Sequence, residues 1–376
     1  MIYLDHLAST PLDPAALAAM LPWLDPAAAG NPHAATHRAG WAAAAVVDRA
    51  RGQVAGLIGA RPGEIVFTSG ATEANNLALL GAAPRGRSVA VSAVEHASVA
   101  ACLPILAARG HRVRILPVDG AGIIDPTAVE AVLRDGPALV SVMSANNEIG
   151  TVQPLAEIGA LCRRYGAILH SDAVQSAAWA RLDPRSLGID LLSLSAHKLC
   201  GPMGIGALYM RDGLALQPML VGGGQQEGRR SGTVPVALAV GFGTASALAA
   251  ERRAADAERV ARLRKRLWTG LAAALPDLVR NSPAEACLPG CLNVAIPGID
   301  AVELLLGLPE LAIATGSACS SGADGPSPVL LAIGRSPELA HASLRFGLGR
   351  TTTEDEIDRA VAMLASAVRE SCRAPG

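Results

Sequence analysis

Between residues 64 and 210 short apolar runs alternate with stretches of helical spacing. "EIVFTS" (64–69) predicts a strand and "TEANNLALLGA" (72–82) a helix. "SVAVSAV" (88–94) predicts a strand and "SVAACLPILAARG" (98–110) a helix. "RVRILPV" (112–118) and "ALVSVMS" (138–144) predict strands, followed by helices at 127–133 and near 155–165. "AILHSD" (167–172), "IDLLSLS" (189–195) and "GIGALYM" (204–210) predict three more strands. Strands apolar on both faces suit a sheet covered by helices on each side. The alternation predicts an α/β fold with a mostly parallel central sheet, whose ligands sit beyond the carboxyl ends of the strands.

From about Pro235 the pattern changes. A long Ala- and Arg-rich helix runs to about Ala274, followed by shorter strands such as "LNVAIP" and a small-residue loop at 314–327. The last helix starts at "TTTEDEID", with Ser/Thr-x-x-Glu/Asp capping signals in three registers. Ile357, Ala360, Val361, Leu364 and Val368 then keep helical spacing. This predicts a large domain, residues 16–255, and a smaller α+β domain made of residues 1–15 and 256–376.

Composition narrows the class. Hydrophobic residues make up 51% of the 376 and charged ones 17%, which is a globular balance. Aromatics are only 3%, so Ala, Leu, Val and Ile must fill the core. A net charge of −1 and the lack of a long basic run argue against a nucleic-acid or membrane-surface partner. Asp5 and His6 stand where a signal peptide would be basic and then apolar, and there is no long uncharged apolar stretch. The expectation is a soluble cytoplasmic protein. Seven scattered cysteines do not make a disulfide framework. "CLPGC" (Cys287, Cys291) lacks a second ligand pair and reads as a turn with two half-buried thiols.

One charge stands out. Thirty-two residues are Lys or Arg, yet only Lys198 and Lys265 are lysines. Lys265, in "RLRKRL", reads as helix surface. Lys198 follows an apolar strand and precedes the Gly-rich "GPMGIGA". A desolvated lysine loses its proton and attacks carbonyls, which arginine cannot do. A lysine Schiff base suggests pyridoxal phosphate (PLP), which needs a phosphate cradle and an acid partner for its ring nitrogen. "FTSGATEANN" (67–76) places Ser69, Gly70, Ala71 and Thr72 at a strand-to-helix junction suited to phosphate. Asp172 lies just past an apolar strand, where a carboxylate needs a cationic partner such as a pyridinium. Ser195 and His197 flank the lysine near phosphate oxygens, and His96 follows a strand end where it can stack on the ring.

These strings, with "YLDHLASTPLDP", "SVMSANNEIGTVQPL", "GGGQQEGRRSGT", "TGSACSSG" and "LRFGLGRTTTEDEID", together resemble the PLP-dependent cysteine desulfurases of the nitrogen-fixation and iron–sulfur-cluster type, along nearly the whole chain. The resemblance implies an aminotransferase-type fold and a homodimer with active sites near the subunit interface. It implies that Lys198 holds PLP, Asp172 pairs with the ring nitrogen, Gln175 contacts the ring hydroxyl and His96 stacks as an acid–base group. Ala71 falls in the cofactor-binding junction, Thr72, Ser195 and His197 bind the phosphate, and Thr233 reaches the phosphate of the other subunit. Asn147 and Arg345 hold the substrate carboxylate. Cys319, in a mobile small-residue loop, takes the sulfur of L-cysteine as a persulfide, leaving L-alanine. The sulfur then passes to an acceptor or iron–sulfur scaffold, and the resemblance extends to Cys319 ligating a nascent cluster in such a complex. The sequence departs from the family at Cys200, Met203, Pro328 and Gly347, where an aromatic residue, a lysine, a histidine and a serine are frequent. Its short tail leaves the pathway and acceptor open. A selenocysteine lyase or another enzyme of the same fold is the alternative, and a non-catalytic scaffold the remotest reading.

Overall fold

Each apolar run between Ile65 and Met210 becomes a strand of one seven-stranded sheet. The computed structural model describes residues 1–83, 87–315 and 325–371. In chain order, β1 (Ile2–Tyr3), α1 (Pro14–Met20) and α2 (Arg38–Leu57) precede β2 (Ile65–Thr68) and α3 (Ala71–Ala82). Then come β3 (Ser88–Ser92), α4 (Ala97–Ala100), α5 (Cys102–Ala108), β4 (Val113–Leu116), α6 (Pro126–Arg134) and β5 (Pro137–Ser141). The sheet is completed by α7 (Leu155–Tyr165), β6 (Ile168–Asp172), α8 (Pro184–Leu187), β7 (Leu191–Ser195) and β8 (Gly206–Met210). The C-terminal part holds α9 (Val236–Ala274), β9 (Val279–Arg280), β10 (Cys291–Ala295), α10 (Ala301–Leu306), β11 (Leu311–Ala312) and β12 (Ala314–Thr315). It ends with α11 (Pro328–Ala332), α12 (Pro337–His341), β13 (Ser343–Gly347) and α13 (Glu354–Ser371).

The strand order is β2-β8-β7-β6-β5-β3-β4. All neighbours are parallel except β8, which runs antiparallel to both β2 and β7. Residues 196–205 join β7 to β8 and are too few for the helical crossover that a parallel pair needs. The order reverses between β3 and β5, the kind of switch point where open α/β sheets bind ligands.

The helix expected at 98–110 is broken into α4 and α5. Pro104 explains this, because it has no N–H for the Ala100 carbonyl and its ring crowds that oxygen. Of the three capping registers before α13, Thr353 and Glu356 form the reciprocal pair: Thr353 N–H donates to Glu356 Oε2 (2.8 Å), and Glu356 N–H donates to Thr353 Oγ1 (3.3 Å). The "CLPGC" reading needs a correction. Cys287 is half-buried, but Cys291 opens β10 and is fully buried, its thiol pushed up by that burial.

Two hydrophobic cores lie along α9. Ala239, Phe242 and Ala249 join the core around the seven-stranded sheet. Val260, Leu263, Leu267 and Leu271 join a second core with Ile2, Leu4, Phe346, Ile357 and Leu364. That second core backs the four-stranded sheet β12-β13-β10-β9. The N-terminal arm crosses it, since β1 pairs with β11, and Leu7 lies close against β13. A Cβ on Gly347 would sit 2.6 Å from Leu7 N, so this chain's glycine at 347 is what admits the arm. No described helix is long and apolar enough to cross a membrane.

Candidate active site

A cavity of about 480 Å³ opens at the carboxyl ends of β2, β5, β6 and β7. Its walls include Ala71, Thr72, His96, Asn147, Asp172, Gln175, Ser195, His197 and Lys198, all of them positions expected from the sequence. Arg345 and Thr233 do not line it, and Cys319 lies outside the described residues.

The junction after β2 turns through Ser69 and Gly70 into α3. Gly206 on the neighbouring strand makes room for it, because a Cβ there would lie 2.8 Å from Gly70 Cα. The helix geometry leaves the N–H groups of Ala71 and Thr72 without intrahelical acceptors, beside the positive end of the α3 dipole. Ser69 is different: its N–H donates to Glu73 Oε2 at 2.7 Å, so it is taken. Burial opposes the charge on Glu73, but Arg230, 2.8 Å away, overcomes this and holds its carboxyl below the usual range.

Asp172 ends β6 and is 5% exposed. Its carboxylate accepts from Asn75 Nδ2 at 2.7 Å and from Val174 N–H at 3.0 Å. Both donors are neutral, and no described cation forms an ion pair with Asp172. A buried carboxylate in that state is costly unless a cation reaches it. The neighbouring Glu95 is shifted by the same surroundings. Burial and then the Asp172 charge push its carboxyl far up, while Met143 N–H donates to its Oε1 at 2.6 Å.

Lys198 lies in the single helical turn Ala196–Lys198 after β7. Its Nζ donates to the Leu7 carbonyl and, at 2.6 Å, to the Ala8 carbonyl. Gln175 Nε2 donates to the same Leu7 oxygen at 3.0 Å. His197 Nδ1 meets Ser9 Oγ at 3.2 Å. Burial, reinforced by the Lys198 charge, pushes His197 down to about 4, so its ring is neutral near pH 7. Thr10 fixes this loop to the arm: its Oγ1 donates to the His197 carbonyl at 2.7 Å and accepts from Cys200 N–H at 2.9 Å. Lys265, by contrast, is exposed on α9.

Arg345, on β13, is fully buried. Its guanidinium pairs with Asp5 at 2.9 Å and donates to the Asn147 carbonyl at 3.1 Å. Thr233 is exposed on a loop before α9. The sequence reading did not name Ala8, Ser9, Asn75, Ser98, Met143 or Val174, which line the cavity or bond to its walls. Asn75 and Ser98 sit within helical patterns, where amides and hydroxyls are ordinary, and only the strand-end spacing of "EHAS" points to Ser98.

The donor set fits PLP. An amine, a buried carboxylate with no ion-pair partner among the described residues and a helix N-terminus converge on one cavity of cofactor size.

The Aminotransferase class-V family model matches residues 2–360. The chain belongs to this family. Within it the chain falls among the cysteine desulfurases. Cysteine desulfurase of Mus musculus is 46% identical over 363 residues, covering 95% of this chain and 79% of the mouse protein. Cysteine desulfurase IscS of Proteus mirabilis (strain HI4320) is 45% identical, covering 98% of this chain and 92% of its own. A solved NifS-like protein superposes with a TM-score of 0.91 at 32% identity, covering 98% and 99% of the two chains. SspA in complex with cysteine gives 0.83 at 35% identity, covering 94% of this chain and 100% of SspA. A mostly parallel α/β sheet in an aminotransferase-type fold was the sequence expectation, and these neighbours share that fold.

Proposed function

We propose that this chain takes sulfur from L-cysteine with bound PLP and leaves it as a persulfide on Cys319. The observation that carries the reading is the meeting of Lys198 Nζ, the buried carboxylate of Asp172 and the N-terminus of α3 in one cavity. When bound, PLP supplies an aldehyde for an amine and a ring that stores electrons withdrawn from the substrate.

The chain's own residues do the rest. Ala71 and Thr72 N–H groups, with Ser195 and His197, hold the phosphate, and Thr233 reaches the phosphate of a second subunit in a homodimer. Asp172 keeps a proton on the ring nitrogen, Gln175 holds the ring hydroxyl and His96 stacks on the ring. Lys198, whose Nζ lies in the cavity, would carry the α-proton of the substrate as a base. Asn147 and Arg345 bind the substrate carboxylate, a fork of guanidinium donors being suited to bidentate contact. The cysteine C–S bond breaks and an S–S bond forms on Cys319. The electron pair and the thiol proton go to the carbon product, L-alanine, so the reaction balances without an external oxidant. The persulfide then passes to a sulfur acceptor or an iron–sulfur scaffold, and the same thiol serves as a cluster ligand in that complex. We place the enzyme in the cytoplasm. The division of labour follows the domains 16–255 and 1–15 with 256–376, the first holding the cofactor and the second the sulfur-carrying loop.

The test is incubation with L-cysteine while alanine and protein-bound persulfide are measured. Cys319→Ala is expected to bind PLP as the wild type does and to form no persulfide. Undiminished sulfur release by that variant rules out the role of Cys319. Turnover of selenocysteine with little of cysteine would make the enzyme a selenocysteine lyase instead.

A further inference from the structure

Four buried or half-buried groups form an unbroken hydrogen-bond chain beside the cavity. Asn75 Nδ2 donates to Asp172 Oδ2 at 2.7 Å and to Ser98 Oγ at 2.8 Å. Ser98 Oγ then meets His96 Nδ1 at 2.7 Å, and Ser98 N–H donates to the same Nδ1 at 3.1 Å. Asn75 is fully buried, Ser98 is 7% exposed and His96 lines the cavity.

The bond directions are set from both ends, by the carboxylate at one and by a backbone donor at the other. An ionised carboxylate only accepts, so the Asn75 amide must turn its nitrogen to Asp172. That same nitrogen gives its second proton to Ser98, whose oxygen therefore accepts. The Ser98 hydroxyl proton is then free to point at His96 Nδ1. The backbone N–H of Ser98 arrives at Nδ1 as a donor as well. Nδ1 thus carries no proton, and the neutral ring bears its proton on Nε2. The cost is visible at the other end of the amide, because Asn75 Oδ1 is buried with no hydrogen-bond partner among the described residues.

We infer that Asn75 and Ser98 are positioning residues that hold His96 as the Nε2–H tautomer and tie its orientation to the carboxylate of Asp172. The inference rests on the PLP reading above for the charge on Asp172. It assigns His96 the part of a donor at Nε2 and rules out Nε2 as a resting base.

Histidine 15N spectra of the PLP-loaded and PLP-free protein test it, with the His96 signal assigned by its loss in His96→Gln. The wild type is expected to show an unprotonated Nδ1 and a protonated Nε2. A wild-type Nδ1–H tautomer, or an imidazolium near neutral pH, overturns the inference. Asn75→Asp keeps the shape but reverses the relay. Its carboxyl oxygen holds at most one proton, which Asp172 attracts, and it offers Ser98 a lone pair. His96 is then expected to move toward the Nδ1–H tautomer. An unchanged Nε2–H signal in that variant would give the tautomer to the backbone N–H alone and remove the relay. Ser98→Ala is expected to lower kcat about tenfold with KM within about twofold, as misorientation does. Ser98→Thr, which keeps the hydroxyl, is expected to retain the rate, and unchanged kcat in Ser98→Ala overturns the role of Ser98. If the wild type makes no alanine, the functional reading fails while the tautomer spectra still judge the relay.

Discussion

Two walls enclose the cavity, and they are built by different means. The sheet wall is made of side chains placed at strand ends: Thr72 after β2, Asp172 after β6, Ser195 and Lys198 after β7. The arm wall is made of residues 7–10, which meet Lys198 across a separation of 190 residues, largely through backbone carbonyls. The sheet wall therefore supplies the charges and donors. The arm wall supplies a fixed place for the lysine amine, and it is held by Thr10 and by the fit of Leu7 on Gly347. Changes to the first should alter chemistry, and changes to the second should alter stability and affinity.

The largest expected effect is on the sheet wall. Lys198→Ala should lower alanine formation at least ~10³-fold, since no other described amine lines the cavity. It should also abolish the absorption of lysine-linked PLP, and persistence of that band would remove Lys198 from its role. A second test uses pH, because buried or half-buried histidines sit in the sheet, in the arm and in the lysine loop. Burial pushes His170 on β6 down to about 3, His6 on the arm to about 4 and His197 to about 4. Each folded value lies below the unfolded one near 6.5. The stability they give is therefore present above about pH 6.5 and is lost as the pH falls toward 4, where the unfolded chain takes up protons first. Urea denaturation should show a loss on the order of 7 kcal/mol between pH 7 and pH 4.5, roughly 2.5 from each ring. PLP should recover the share due to His197, because a phosphate beside that ring favours its charged form. A flat stability across that range contradicts the burial of all three rings.

The unequal legibility of the two walls has the same origin as their chemistry. Lys198 and Asp172 were readable because a rare lysine and a lone carboxylate followed runs too apolar to leave such groups unpartnered. The strands and the helix at 155–165 were readable from period alone. The arm left no such sign, since a carbonyl belongs to every residue and its use depends on where the chain returns. The same holds for Asn75 and Ser98, whose meaning lies in the bond directions between them. The reversed β8 and the break at Pro104 were both available from loop length and proline chemistry, yet an apolar pattern gives neither direction nor a break. Arg345 was expected from the family resemblance, but its burial against Asp5 comes only from the arm crossing β13.

That pair gives the next prediction. Arg345 is 0% exposed, so Asp5→Ala takes one ion-pair partner away from a buried guanidinium. A loss of about 3 kcal/mol in urea denaturation is expected, the usual scale for breaking such a pair from one side. The KM for L-cysteine should rise as well, because Arg345 also donates to Asn147, which lines the cavity. Unchanged stability would mean that the arm does not hold Arg345, and the contrast between the walls would fail there.

The smallest effect isolates the arm from the charges altogether. Thr10 touches no ionised group in its two side-chain bonds: it donates to the His197 carbonyl and accepts from Cys200 N–H. Cys200 is held at φ 60°, a left-handed conformation that a non-glycine residue keeps only when its neighbours enforce it. Thr10→Ala removes both bonds and leaves the Cys200 N–H without this acceptor, so a loss of about 1–2 kcal/mol is expected. Thr10→Ser keeps the hydroxyl and should recover most of it. Because the loop that carries Lys198 is loosened rather than altered, PLP should bind several-fold more weakly, and kcat at saturating PLP should change less than twofold. A fall in kcat comparable with that of Lys198→Ala would mean that the arm takes part in the chemistry and that the two walls are one device.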